Sequence, residues 1–351
     1  MPRIAANFCR QQWNEALAAV PQHGDGPRKV RFTHILNPYR AHSEQEQAVQ
    51  QLTFETIRIA ARNIAPDIQV RCVCVASPAD SGVIPPDFIT AESLNRTVLD
   101  VATFAVRKPL PLVFDILDRG VAAPEEPPAM PDYEDFIIFS NMDIHFQPHF
   151  YTAVAKFIRE GYDVVDIHRR TIPHHPPRVD LLPLMFAETG AHHGGLDCIA
   201  FPRRKYQAFI RNNACVGMSQ VMRGLLVNCA MQAQRYLMLD NSRLTFHLGN
   251  DRAWAVPLFD EYTKFNLAEF QTVLAAMAAD GSSAARLVST LKALELPQYL
   301  TIVGRKTAGS LSPHLWMWVL LRKLRSLPHR LRRTAIYWLL RPGEEASHDY
   351  H

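Results

Sequence analysis

Apolar and polar positions along this chain switch between two periods, and the switches lay out its elements. Arg31-Phe-Thr-His-Ile-Leu reads as a first strand, ended by the turn pair Asn37-Pro38. Ser43-Glu-Gln-Glu has the form of a helix N-cap with an acidic first turn, and helical periodicity then runs to about Asn63. Ile68 to Ala76 is a second strand. A helix is expected around residues 92 to 105, and a short one from Leu112 to a stop at Gly120. Val121 to Asp132, with Pro124, Pro127, Pro128 and Pro131, is the clearest loop. Phe136-Ile-Ile-Phe139 is a buried-type strand, and a helix follows between Pro148 and Gly161. Tyr162 to His168, Cys198 to Phe201 and Arg243 to His247 read as further strands. Strands alternating with helices predict an α/β layer on a mostly parallel sheet, with ligands at the carboxyl ends of strands.

Composition narrows the class without naming a function. The chain has 351 residues, 48% hydrophobic and 21% charged, enough for an ordinary globular core. A net charge of +4 is too small to argue for nucleic acid, and none is expected as a partner. Six cysteines without a CxxC pair make neither a disulfide framework nor a zinc site, and Cys72 and Cys74 read as core. The first residues lack the apolar run of a signal peptide, and no stretch matches the roughly 18 apolar residues of a membrane span. A soluble or peripheral protein on the cytoplasmic side is expected.

The chemistry concentrates after the Phe136–Phe139 strand. It runs into Asn141-Met-Asp143, whose spacing puts two oxygen-bearing side chains on one face of extended chain. A hard divalent cation, Mg2+ or Mn2+, asks for such ligands and completes its shell with substrate phosphates. An ordinary polar turn after a core strand fits the same spacing.

Strand–Asn-Met-Asp–strand resembles the DxD motif of the GT-A glycosyltransferases, which move a sugar from a nucleotide-sugar donor and hold a divalent metal against the donor diphosphate. Other segments follow in the same order. Arg31 to Pro38 resembles the first strand and nucleotide-contacting loop, with Asn37 as a donor contact. Arg107 and Lys108 sit where such proteins often carry basic residues. Gly194-Gly-Leu-Asp-Cys resembles the acceptor-side segment, which makes Asp197 the candidate general base. Leu244-Thr-Phe-His resembles the late segment that supplies a further metal ligand, here His247 beside Asn141 and Asp143. The first motif position is Asn rather than Asp, which leaves one carboxylate and puts metal dependence and turnover in question. The resemblance implies a GT-A-like, Rossmann-like sheet over residues 28–260, after a leader at 1–27 and before a helical extension at 261–310.

Four further features carry candidate chemistry. His174-His175 and His192-His193 bracket a proline-containing loop and suit an acceptor loop better than a metal, because adjacent side chains diverge. Arg169-Arg170 reads as a solvated strand end or as a phosphate contact, and Asp251 and Trp254 as core or sugar-pocket residues. Residues 311–351 set Trp316, Trp318, Tyr337 and Trp338 around an Arg/Lys cluster, the pattern of a helix lying on an anionic membrane and meeting a lipid-linked or glycan acceptor. A nucleotidyltransferase would need a Gly-rich, Lys-bearing loop after the first strand, and Asn37-Pro-Tyr-Arg-Ala-His is not one. A non-catalytic binding protein that keeps the fold is the other alternative.

Overall fold

The computed structural model describes residues 29–125, 132–240, 242–249, 257–279 and 284–294, together with Leu296 and Tyr299. Strand β1 (Lys29–Leu36) explains the layering. Its even positions Val30, Phe32 and Leu36 join one core with Phe54 and Ile57 of helix α1 (Glu44–Arg62) and Tyr151 and Val154 of helix α3 (Phe150–Arg159). Its odd position Ile35 meets helix α2 (Val113–Ala122) on the opposite face. With both faces covered, the strand is buried along nearly its whole length, as parallel-sheet strands are.

Strands β2 (Ile68–Cys74), β3 (Ile89–Thr90) and β4 (Tyr133–Ser140) complete a parallel half in the order β3-β2-β1-β4. The other half holds β5 (His145–Phe146), β6 (Val164–Ile172), β7 (Ala191–Pro202), β8 (Tyr236–Leu239) and β9 (Thr245–Leu248). It continues the sheet as β4-β7-β6-β9-β5, with β7 antiparallel to both neighbours and β8 parallel to the first part of β6. The expected α/β class is therefore present: a mostly parallel sheet flanked by helices. Helices α4 (Leu182–Ala187), α5 (Arg223–Gln232), α6 (Asp260–Ala279) and α7 (Ala284–Ala293) are the remaining α-helices among the described residues.

Local sequence explains most ends. Ser43 caps α1 by accepting from the Glu46 N–H at 3.1 Å. Two expectations need correction. Helix α2 does not stop at Gly120 but runs through it to Ala122. A Cβ there would lie 2.6 Å from Ile35, so the glycine serves close approach to β1. The helix expected over residues 92 to 105 is an irregular connection with one 3₁₀ turn, Val98–Asp100, closed by a Thr97–Asp100 capping box. Its apolar residues Val98 and Phe104 pack with Leu112, Cys215 and Tyr262, and Phe104 stacks on Tyr262 at 3.9 Å. Tertiary packing set that apolar spacing.

The chain divides into two compact units, Met1–Ala276 and Met277–His351. In the second, Leu287 and Leu291 of α7 are buried. No helix among the described residues is long and apolar enough to cross a membrane. The leader, Asp251, Trp254 and the basic aromatic tail lie outside the described residues.

Candidate functional site

Where β4 ends, the chain leaves the parallel half and meets the antiparallel strand β7. The last ladder pair is Ser140 with Cys198, and Asn141 N–H then donates to the Asp197 carbonyl at 3.1 Å. The Asn141 side chain repeats the link, its Nδ2 donating to Asp197 Oδ1 at 3.0 Å. A carboxylate only accepts, so the amide nitrogen must be the atom that faces it.

The β6–β7 pairing explains how Asp197 comes to point there. Ile167 pairs with Cys198, but the next residue, His168, pairs with Leu196, so Asp197 is the extra residue of a bulge. A bulge of this kind re-aims a side chain, commonly beside an active site. The register slips again before Arg170 pairs with His192, which sets Arg169 across from the glycine-bearing stretch of β7. Gly195 leaves room for that carboxylate, since a Cβ would sit 2.5 Å from Asp197 Oδ2. Arg169 Nε comes within 3.4 Å of Asp197 Oδ2, and both atoms are buried without a hydrogen-bond partner.

Two residues past Asn141, Asp143 faces β9. Its Oδ2 is 3.2 Å from His247 Nε2, while Oδ1 is enclosed and unpartnered although the side chain as a whole is 45% exposed. His247 Nδ1 lies 3.0 Å from the Gly249 carbonyl, which can only accept, so Nδ1 carries a proton. The other nitrogen then faces a carboxylate in one of two ways: as the second N–H of an imidazolium, or as a lone pair that shares a cation with Asp143.

The electrostatics fit this reading. Burial pushes the Asp143 carboxyl up, but the His247 hydrogen bond and the charges of His247 and Arg169 outweigh it and leave the group below its usual range. Burial lowers His247, and the bond and charge of Asp143 more than reverse that. Asp197 moves up because burial, with Asp143 beside it, outweighs Arg169.

The sequence-selected residues therefore separate into two sets. Asn141, Asp143, Asp197 and His247 converge at the ends of β4, β7 and β9. Asn37 lies at the end of β1, where its amide donates to the Val75 carbonyl at 2.7 Å and clamps the β1 and β2 ends together. Arg107 and Lys108 lie in the loop before α2, and Lys108 rests over the Phe259 ring at 3.9 Å; no polar contact described joins them to Asp143. The histidine pairs disperse: His174 bonds Gln45, His175 bonds Glu188, and His193 accepts from the Gly195 N–H. Arg169 and Arg170 are buried, not a solvated strand end. The sequence offered Arg169 only as a solvated strand end or a phosphate contact, and it singled out neither Asp166 nor His168. The signal was present in β6, which interrupts a core strand with Asp166, His168, Arg169 and Arg170.

Among the described residues no group of three His, Cys, Asp or Glu side chains surrounds one point. The donors at hand are the Asp143 carboxylate, with its enclosed free oxygen, and His247 Nε2, with the Asn141 carbonyl oxygen two residues away in sequence. That set fits part of a divalent shell whose remaining ligands are substrate oxygens and water.

No protein-family model matches the chain, and no curated protein matches it in sequence. Solved structures do match in three dimensions. A mannosyltransferase from Pyrobaculum calidifontis, in complex with GDP-Man and Mn2+, is similar over 96% of both chains with 13% identity and a TM-score of 0.45. A mycobacterial protein matches 80% of this chain and 78% of its own, with 16% identity and a TM-score of 0.34. The galactosyltransferase LgtC, in complex with donor and acceptor sugar analogs, matches 69% of this chain and 96% of its own, with 8% identity and a TM-score of 0.28. At these scores the likeness carries no functional weight, which rests on the side chains.

Proposed function

We propose that this protein transfers a glycosyl group from a nucleotide-sugar donor to a hydroxyl of a glycan or lipid-linked acceptor, with Mn2+ or Mg2+. One observation carries the reading: Asp143 closes the end of β4 with an enclosed, unpartnered oxygen and lies 3.2 Å from His247, beside the Asn141–Asp197 pair. A buried carboxylate oxygen without a partner costs stability, and a ligand repays it.

Asp143 and His247 would hold the cation, with the Asn141 carbonyl as a third donor. When bound, the cation supplies positive charge against the leaving diphosphate. Asp197 is the base. Burial raises its proton affinity above that of an ordinary carboxylate, Asn141 fixes its orientation, and Oδ2 is left for the acceptor proton. Arg169 balances the charge of both carboxylates without hydrogen-bonding either. Asn37 at the β1 end, and Arg107 and Lys108 before α2, remain proposed donor contacts. The basic aromatic tail proposes peripheral attachment to an anionic membrane, a setting suited to surface polysaccharide assembly.

Thermal unfolding with UDP-glucose, UDP-galactose and GDP-mannose, with and without Mn2+, tests the central reading. A donor at about a hundred times its Kd stabilises by about 2.7 kcal/mol. Metal-dependent stabilisation together with nucleotide release is the expected result. Stabilisation without release identifies a binding protein, and no response to any nucleotide sugar overturns the proposal. Co-sedimentation of the full chain with anionic liposomes, weakening as salt rises, tests the membrane setting.

A further inference from the structure

Beside the proposed metal and base residues, β6 carries a second polar pair that the reaction described above does not use. His168 Nε2 lies 3.3 Å from Asp166 Oδ2, and the same oxygen accepts from the Tyr236 hydroxyl at 2.8 Å. A carboxylate accepts only, so Nε2 carries the proton and the ring is held by an oriented, buried acid. Asp166 is 1% exposed and Tyr236 3%, which fixes the pair rigidly between β6 and β8.

That leaves Nδ1 of His168 buried and without a partner, on a residue only 7% exposed. His34, by comparison, has both ring nitrogens hydrogen-bonded. His168 stands opposite Leu196, next along β7 from the bulged Asp197, and the His192 ring is 6.3 Å away. His168 therefore stands one ladder position from the proposed base.

We infer that His168, held by Asp166 and Tyr236, forms a subsite for a hydroxyl of the acceptor sugar next to the one that Asp197 deprotonates. This inference rests on the glycosyltransferase reading for its ligand. With Nε2 taken by Asp166, Nδ1 is the ring atom left to meet a sugar hydroxyl. The bond formed is a hydrogen bond, and no covalent step is assigned to His168.

His168→Gln is the discriminating variant, because its amide can still reach Asp166 while no group replaces Nδ1. Saturation-transfer NMR would follow octyl glucoside, octyl galactoside, octyl mannoside and octyl glucuronide on the full chain. Nucleotide release from a donor, with and without each glycoside, would be measured in parallel. The expected result is binding of at least one of these glycosides. His168→Gln should raise the acceptor KM by about tenfold and leave donor hydrolysis within about twofold of wild type. Asp166→Asn should shift the acceptor KM in the same direction, and Asp143→Ala should lose hydrolysis while keeping the glycoside signal. Wild-type acceptor kinetics in His168→Gln, equal losses of hydrolysis and transfer, or no glycoside signal in wild type would each overturn the inference. A His168-dependent glycoside signal without turnover of any nucleotide sugar would instead sink the donor reading and leave the subsite standing. Should His168→Gln unfold, as circular dichroism would show, Asp166→Asn decides by the same readouts.

Discussion

Two histidines on the same sheet define two kinds of burial. His34 in β1 is fully enclosed, with Nδ1 2.7 Å from the Tyr151 hydroxyl and Nε2 2.8 Å from Ser140 Oγ, and every partner is neutral. His247 in β9 is almost as enclosed but faces the Asp143 carboxylate, in a neighbourhood where Asp143, Asp197, Arg169 and His168 each hold a buried polar atom without a hydrogen-bond partner. The His34 site between β1 and β4 is satisfied from within the chain. The β6–β7–β9 setting is incomplete, and an incomplete polar cluster that persists in a folded sheet is where a ligand is expected.

The contrast is broken most directly by exchanging what each region loses on mutation. Asp143→Ala should reduce donor turnover by about 100- to 1000-fold, the usual cost of removing one electrostatic stabiliser. Its melting temperature should stay near wild type, since a side chain 45% exposed contributes little packing. Full activity in that variant would remove Asp143 from the site. His34→Ala should do the reverse, destabilising by about 3–5 kcal/mol through a cavity and two stranded hydroxyls, as denaturant titration would register.

Two enclosed histidines, one in each half of the sheet, set an acid response. Burial lowers both His34 and His145 to about 3, against about 6.5 in the unfolded chain. Between those values the unfolded state holds two protons that the folded state does not. Stability is therefore lost as pH falls from about 6.5 toward 3, with these two groups contributing about 2.7 kcal/mol per pH unit. His34→Ala should remove about half of that slope. An unchanged slope would mean that His34 already titrates in the folded state.

How much of this was legible beforehand follows from which interactions are local. Helix α1 was read from its cap and period, and the site's backbone address from the strand that runs into Asn141. The bulge that turns Asp197 into the site was not readable, because a register slip depends on two strands at once. Arg169 looked like a solvated strand end for the same reason: nothing in β6 alone shows that β7, β8 and β9 will enclose it. The helix expected over residues 92 to 105 failed because Phe104 finds its partner in α6, more than 150 residues later. His247 and Asp143 are also far apart in sequence, and only the resemblance linked them before the sheet did.

Within the incomplete region, Asp197→Asn should lower transfer by about 100-fold while donor binding persists, because a general base contributes on that scale. In wild type, transfer should fall as pH drops through the raised Asp197 ionisation, and the variant should lose that acidic limb. Transfer at wild-type rate would assign the base elsewhere.

The smallest expected effect bears on why the motif begins with asparagine. Asn141 uses its amide nitrogen on Asp197 Oδ1 and has its carbonyl oxygen left for a cation, a pairing of roles that a carboxylate cannot perform. Asn141→Asp adds a charged oxygen donor, so Mn2+ affinity should rise by about three- to tenfold, as more ligand charge tightens a hard-cation site. The same change deletes the donor to Asp197 and sets a like charge 3.0 Å away, which raises the Asp197 proton affinity further. Isothermal titration with Mn2+ should therefore show tighter binding while the acidic limb of transfer moves to higher pH. Tighter metal with an unmoved limb would separate Asn141 from the base. Unchanged metal affinity with a moved limb would show that the asparagine serves Asp197 alone, leaving the cation to Asp143 and His247.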